Sequence, residues 1–286
     1  DHDADAATVS DHLVAADRLS PGLIEGWAVD VLCRAAQEDL AVGRIDIAAR
    51  RLDLAARSSR DEAERTAVTS LLLRAEWLCQ PSAATRHLDR LRAAHAQGRL
   101  SEDDVFHLAK ILIWYGRVDE VAAILTALIG PRADGRDGTD HLSLAAYWIA
   151  FICPPVGERL LPPVDTLGPP KGAERTVWAN CVRNLQRIRS GGPHAEIIDS
   201  AERILRTCPL SEQTFDISVS ALLALLYVDS NDRAEFWCEA LLADAVRRRA
   251  RAWEAMFGAI YAKILVRRGD LPRAARQARG VYELFS

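Results

Sequence analysis

The sequence predicts an all-α protein built from antiparallel helix pairs, and three observations carry that prediction. Ala and Leu, more than Val, Ile or Phe, supply the 49 % hydrophobic content, and aromatic residues make up only 6 %. Unbranched side chains lose little rotamer freedom in a helix, so this composition favours helix over strand. Apolar residues also recur at helical spacing, and no segment sustains the period-2 alternation of a half-buried strand. Finally, turn residues recur at nearly regular intervals, leaving helices of roughly 12–18 residues joined by short connections, which makes neighbours antiparallel.

Taken in order, residues 1–10 open with DHDADA and are expected to form a frayed end. Residues 11–152 form the N-terminal helical repeats. Within them Ile45, Ala48, Leu52 and Ala55 make one apolar stripe, and Val105, Leu108, Ala109 and Leu112 make another. Asp61 followed by Glu64, and Ser101 followed by Asp104, have the pattern of helix starts. The stretch 130–138 (GPRADGRDG) reads as a flexible connection. Residues 153–172 hold three Pro-Pro pairs, which cannot all lie inside helices, and read as a short helix between loops. Residues 173–286 resume the repeats in one continuous solenoid, with Asp270 and Pro272 marking the start of the last helix.

The turns share a pattern. Gly43-Arg-Ile-Asp-Ile-Ala48, Gly116-Arg-Val-Asp-Glu-Val121, Asp229-Ser-Asn-Asp-Arg-Ala234 and Gly269-Asp-Leu-Pro-Arg-Ala274 each place a turn residue five positions before a small or slim one. A fifth copy, Cys79-Gln-Pro-Ser-Ala-Ala84, lacks the Gly. The positions 48, 84, 121, 234 and 274 are spaced by 36, 37, 113 and 40 residues, and the long gap holds three periods, so further units are expected near 158 and 197. Twelve residues before each position stands another small or apolar residue: Ala36, Leu72, Ala109, Leu222 and Ala262. This is the spacing of a tetratricopeptide-like superhelix, whose nominal period is ~34 residues. About seven antiparallel helix pairs would account for the chain.

Charge and motifs exclude several functions. A net charge of −4 and a pI near 6.0 provide no basic field of the kind that holds nucleic acid, so direct DNA binding is not expected. Cationic charge is nearly all Arg, with Lys only at 110, 171 and 263. The six cysteines are scattered without a CxxC pair and read as reduced thiols in a cytoplasm. No apolar run approaches the ~18–20 residues that span a bilayer, and no export leader is visible. The local signatures of phosphate loops, dinucleotide sites, zinc proteases and serine hydrolases are absent, so no enzyme activity and no cofactor are expected. The histidines lack paired metal-ligand spacing, and Glu102, Asp103 and Asp104 complement a helix dipole better than they make an acid–base site. The run Arg247–Arg251 reads as a solvated turn.

A stacked array of this kind offers a concave groove lined by the first helix of each pair. The register points Gln37, Glu76, Trp77, Phe106, Lys110 and Trp114 toward it, followed by Tyr147, Phe151, Lys263 and Arg267. Aromatic rings beside cations suit a carbohydrate-like, acyl or peptide ligand.

The segments AARRLDLAARSSRDEAERTAVTSLLLRAEWLCQPSAATRHLDRL, YGRVDEVAAILTAL and AEFWCEALLADAVRRRARAWEAMFGAIYAKILVRRGDLPRAARQA resemble the central region of the large ATP-binding LuxR-type transcriptional regulators. These occur mostly in actinobacteria, often beside antibiotic and polyketide gene clusters. The resemblance covers about residues 10–286 and only the helical middle of that architecture. It implies a segment that receives an effector or protein partner and couples it to flanking P-loop ATPase and helix-turn-helix domains, with self-association as part of the switch. A free-standing adaptor that docks a partner peptide or helix is the alternative. An all-helical prenyl- or terpene-type enzyme would want an Asp-rich motif that the Glu102–Asp104 stretch does not supply.

Overall fold

In a computed structural model, which describes residues 6–22, 24, 26–129 and 173–285, the chain is helical throughout apart from its turns, and no strand occurs among the described residues. The expected connections at 130–138 and 153–172 and the unit near 158 lie outside them. The helices are α1 (Ala6–Leu19), α2 (Ala28–Ala41), α3 (Ile45–Ser58), α4 (Glu62–Cys79), α5 (Pro81–Ala84), α6 (Leu88–Ala96), α7 (Glu102–Trp114) and α8 (Val118–Ile129). They continue as α9 (Ala173–Arg189), α10 (His194–Thr207), α11 (Phe215–Tyr227), α12 (Asn231–Arg247), α13 (Arg251–Arg267) and α14 (Leu271–Phe285). Adjacent helices pack as pairs, so the fold class read from the sequence, an all-α helical repeat, is the observed one.

The repeat register is visible in burial. Ala48, Ala84, Val121, Ala234 and Ala274 are all at most 4 % exposed, and so is Ile197, which stands where the degenerate unit is expected. Small side chains at these positions let the second helix of a pair approach the first closely, and a larger one would meet packed atoms. Gly258 on α13 shows the same constraint: a Cβ there would stand 2.7 Å from Val281 Cγ2 on α14.

The turns close by one hydrogen-bond pattern. After α2, the Gly43 amide donates to Leu40 O at 3.1 Å and the Arg44 amide to Asp39 O at 2.8 Å. The same pair of bonds, spanning three and five residues, recurs at Gly98, Gly116, Gly191, Asp229, Arg249 and Gly269. This is the Schellman closure, which requires a left-handed residue and so favours Gly. Asp229 and Arg249 adopt that conformation without being Gly, at φ 57° and 55°. The copy at Cys79–Ala84 turns differently. Gln80, which precedes Pro81, is extended at φ −148° and ψ 74°, as the proline ring demands, and the second helix of that pair is interrupted by a 3-10 turn at Thr85–His87.

Helix starts are capped as the sequence suggests. Asp61 accepts from the Glu64 amide at 2.8 Å, Ser101 from the Asp104 amide at 3.2 Å, and Asp270 from the Arg273 amide at 3.2 Å. Of the expected frayed end, residues 1–5 lie outside the described residues, and residues 6–10 open α1. There Ser10 is fully buried and donates to Ala7 O at 2.7 Å.

The chain divides into two compact units. The first holds residues 1–108, 245–255 and 283–286, the second 109–244 and 256–282. In the first, α1 packs on α2 and α3, α3 packs on α4, and α4 on α5 and α6, around a core that includes Leu32, Ala36, Leu52, Val68 and Leu72. In the second, α9, α10 and α11 pack mutually, and the Asn184 side chain donates to Ser200 Oγ at 3.1 Å between α9 and α10. The core there includes Ile197, Leu222, Leu225 and Phe257.

Candidate functional site

The ten residues assigned to a groove are distributed over both units, and several of them are packing groups. In the first unit, Gln37 is exposed on α2, while Glu76 and Trp77 on α4 are buried. Trp77 turns inward because an indole ring contributes most by burying its large apolar area. Phe106 is half-buried, its ring 6.2 Å from that of His107. In the second unit, Lys110 is committed to an ion pair with the buried carboxylate of Asp216 on α11. The Trp114 ring lies 6.3 Å from Phe215, which meets Phe257 edge-on at 5.6 Å, so these aromatics are core packing. Lys263 is exposed with its Nζ 5.0 Å from the Tyr227 ring centroid, a cation–π contact. Arg267 donates to Leu226 O and to Asp229 Oδ1 at 2.6 Å, which ties it to the α11 turn. Tyr147 and Phe151 lie outside the described residues.

The first unit instead builds a cleft of about 420 Å³ from the last turns of α3, the stretch of α4 from Arg65 to Leu72, the 3-10 turn and the start of α6. Arg57, Arg65, Arg86, His87 and Arg90 line it, with Asp53 and Thr69 beside them and Ala56 and Leu72 as an apolar floor. Arg86 and Arg90 are four residues apart across the irregular start of the second helix. The 3-10 turn there brings His87 alongside Glu76, with His87 Nε2 3.0 Å from Glu76 Oε2.

Each arginine is steered by an acid. Arg57 donates to Asp53 and Asp17 at 3.1 Å, Arg86 bonds to Glu76, and Arg90 donates to Glu62 Oε2 at 2.7 Å. Arg65 donates to Ser59 O at 2.9 Å, with Glu62 3.6 Å away. The hydrogen bond from Arg90, reinforced by the charges of Arg90, Arg99 and Arg65, holds the Glu62 carboxyl below the usual carboxylate range despite its exposure. Glu76, at 7 % exposure, lies behind the lining, where it pairs with Arg86 and His87.

His87 Nε2 also lies 3.1 Å from Arg86 Nε. A single ring nitrogen cannot both accept from Arg86 and donate to Glu76, so the two contacts are alternatives set by the proton on His87.

Chemically the cleft offers fixed cations over an apolar patch, which suits recognition of an anion. Four cysteines elsewhere are not activated: burial pushes Cys33 and Cys79 up to about 11, and Cys181 and Cys238 up to about 12. Among the described residues, no group of three or more His, Cys, Asp or Glu is placed to hold a metal ion, and no helix is long and apolar enough to cross a membrane.

The arginine cleft escaped sequence reasoning because its members come from separate helices of an Arg-rich chain; only the i, i+4 pair Arg86 and Arg90 gave a local signal. Compared with protein families, curated proteins and solved structures, the chain matches none.

Proposed function

We propose that the chain is a binding and coupling segment of a transcriptional regulator, in which a helical-repeat array receives an effector or protein partner and passes that state to ATPase and DNA-binding domains. The resemblance to the helical middle of the large ATP-binding LuxR-type regulators motivates the proposal. The observation that supports it is the register itself: small residues at 48, 84, 121, 234 and 274 are spent on close helix pairing, while ionisable side chains such as those around Arg86 are gathered into a cleft. Such an array binds through surface and stacking, and coupling follows if the ligand favours one arrangement of the full protein over another. The environment expected for it is the cytoplasm.

The test is the coding sequence on either side of this segment, followed by a promoter reporter driven by the full gene. The reading predicts an upstream phosphate loop and a downstream helix-turn-helix, and loss of activation when this segment is deleted. Finding neither flanking domain, or undiminished activation after deletion, would leave the adaptor reading, in which a partner peptide or helix docks on the array and transcription is not involved.

A further inference from the structure

The arginine cleft of the first unit has features that helix packing does not require. Arg90 Nε is buried and has no acceptor within the protein, and its Nη1 has none either, since only Nη2 is taken by Glu62. A buried donor without a partner is costly, so its presence at the wall of a cleft suits an acceptor supplied from outside. Arg86 has the same form: Nε faces His87 and Nη2 faces Glu76, which leaves Nη1 open. Arg65 uses Nη1 and Nη2 toward Glu62 and Ser59 and keeps Nε open. The acids therefore fix the guanidinium planes, while at least one nitrogen of each stays open. Holding the side chains in place beforehand removes much of the ordering cost of binding.

We propose that this cleft binds a small organic anion, a compact molecule that places a phosphate or carboxylate group against Arg65, Arg86 and Arg90 and its apolar part against Leu72 and Ala56. The open nitrogens are charged donors, and converging from three arginines they match the oxygens of either group. The volume of about 420 Å³ lies in the lower part of the ~300–1,000 Å³ range of small-molecule sites. An extended polyanion is disfavoured, because Asp17, Asp53, Glu62 and Glu76 surround the arginines and would repel charge beyond the cleft. The inference deepens the proposed function by naming the class of effector, and it rests on that reading only for its regulatory meaning.

The test is calorimetric titration of the full chain with inorganic phosphate and, separately, with citrate, at ionic strength held constant with sodium chloride. A polyglutamate peptide serves as a third probe. Saturable binding of phosphate or citrate is expected, weakened about tenfold or more by Arg90→Gln and less by Arg90→Lys, which keeps the charge and loses the fork. Arg203→Gln, an exposed charge on α10, should bind as the parent does. Ala56→Asp removes none of the arginine pairs and places a repelling charge in the floor, so it should abolish binding in a chain whose helical circular dichroism is unchanged. If phosphate and citrate behave like chloride, if Arg90→Gln and Ala56→Asp bind like the parent, or if polyglutamate binds more tightly than both small anions, the inference fails. Binding on the isolated chain reports the cleft and the promoter reporter reports the regulatory reading, so either can fail alone.

Discussion

Arg51 on α3 reaches Asp39 on α2, and both side chains are withdrawn from water, 4 % and 0 % exposed. Asp39 also accepts from Arg44 Nε at 2.7 Å, just past the Gly43 turn. Through Nη1 and Nη2, Arg51 also donates to Ala35 O and, across to α1, to Ala7 O at 3.2 Å and Asp11 at 2.8 Å, while its buried Nε has no partner. One guanidinium thus pins three helices, and removing its carboxylate leaves a buried charge with only its weaker partners. Asp39→Ala is expected to destabilise the first unit by about 3–5 kcal/mol in urea unfolding, whereas replacing Asp39 and Arg51 together with Leu and Met should cost much less. A loss below about 1 kcal/mol for Asp39→Ala would show that the pair does not hold the unit.

Lys110 and Asp216 form the counterpart in the second unit, with 15 % and 3 % of their side chains exposed. Lys110→Met should cost several kcal/mol because the Asp216 carboxylate is stranded, and Asp216→Asn should recover about half or more of that loss in the Met background. Additive effects in the double-mutant cycle would mean that the two side chains do not interact.

The turns make a prediction of opposite signs. Gly269 has φ +81°, so Gly269→Ala should destabilise by about 1 kcal/mol, while Arg249, held at φ +55°, should gain about 0.5–1 kcal/mol as Arg249→Gly. The exposed contact of Arg249 with Asp46 at 3.3 Å is too solvated to offset that gain. Thermal melts of the two variants read the signs directly, and a destabilised Arg249→Gly would contradict the left-handed turn.

Thiol titration sets an alkaline limit. In the fold, burial raises Cys181 and Cys238 from 9 to about 12 and Cys33 and Cys79 to about 11, so the folded chain keeps these protons at pH values where the unfolded chain releases them. Their contribution to stability is therefore complete below pH 9 and is lost as pH rises from 9 toward 12. Urea midpoints should be flat from pH 7 to 8 and fall at pH 10, and a thiol reagent at pH 8 should label Cys181 and Cys238 only after unfolding. Rapid labelling of either in the folded chain would contradict their burial.

Packing at the repeat positions is equally specific. Ala48 and Ala234 are fully buried, and Ala→Leu at either should cost about 1–3 kcal/mol, whereas the same change at exposed Ala278 should cost under about 0.5 kcal/mol. Equal melting temperatures for the three variants would remove the register.

How much of this could be read in advance depends on range. The register at 48, 84, 121, 234 and 274, and even the unit near Ile197, was legible because periodic small residues and turn residues act within a few positions of one another. Arg249 was not foreseen as a left-handed residue, since Gly or Asn is the usual signal and the turn is held instead by bonds to Ala245 O and Val246 O. The groove residues illustrate a different limit. A helical register gives a direction for Trp77 or Lys110, but not whether a ring will be claimed by the core or a cation by Asp216. The cleft is harder still, because Arg57, Arg65, Arg86 and Arg90 acquire meaning only when α3, α4, the 3-10 turn and α6 are brought together.

The repeated turn closure has a consequence for folding. Each closure joins residues no more than five apart, so a helix end and its reversal can form before any distant part of the chain is in place. Chains dominated by such short-range contacts search little conformational space on the way to the native state and fold fast for their length. Assembly can begin at any of the turns and spread to its neighbours, and a lesion at one of them slows its own helix pair without stalling the rest.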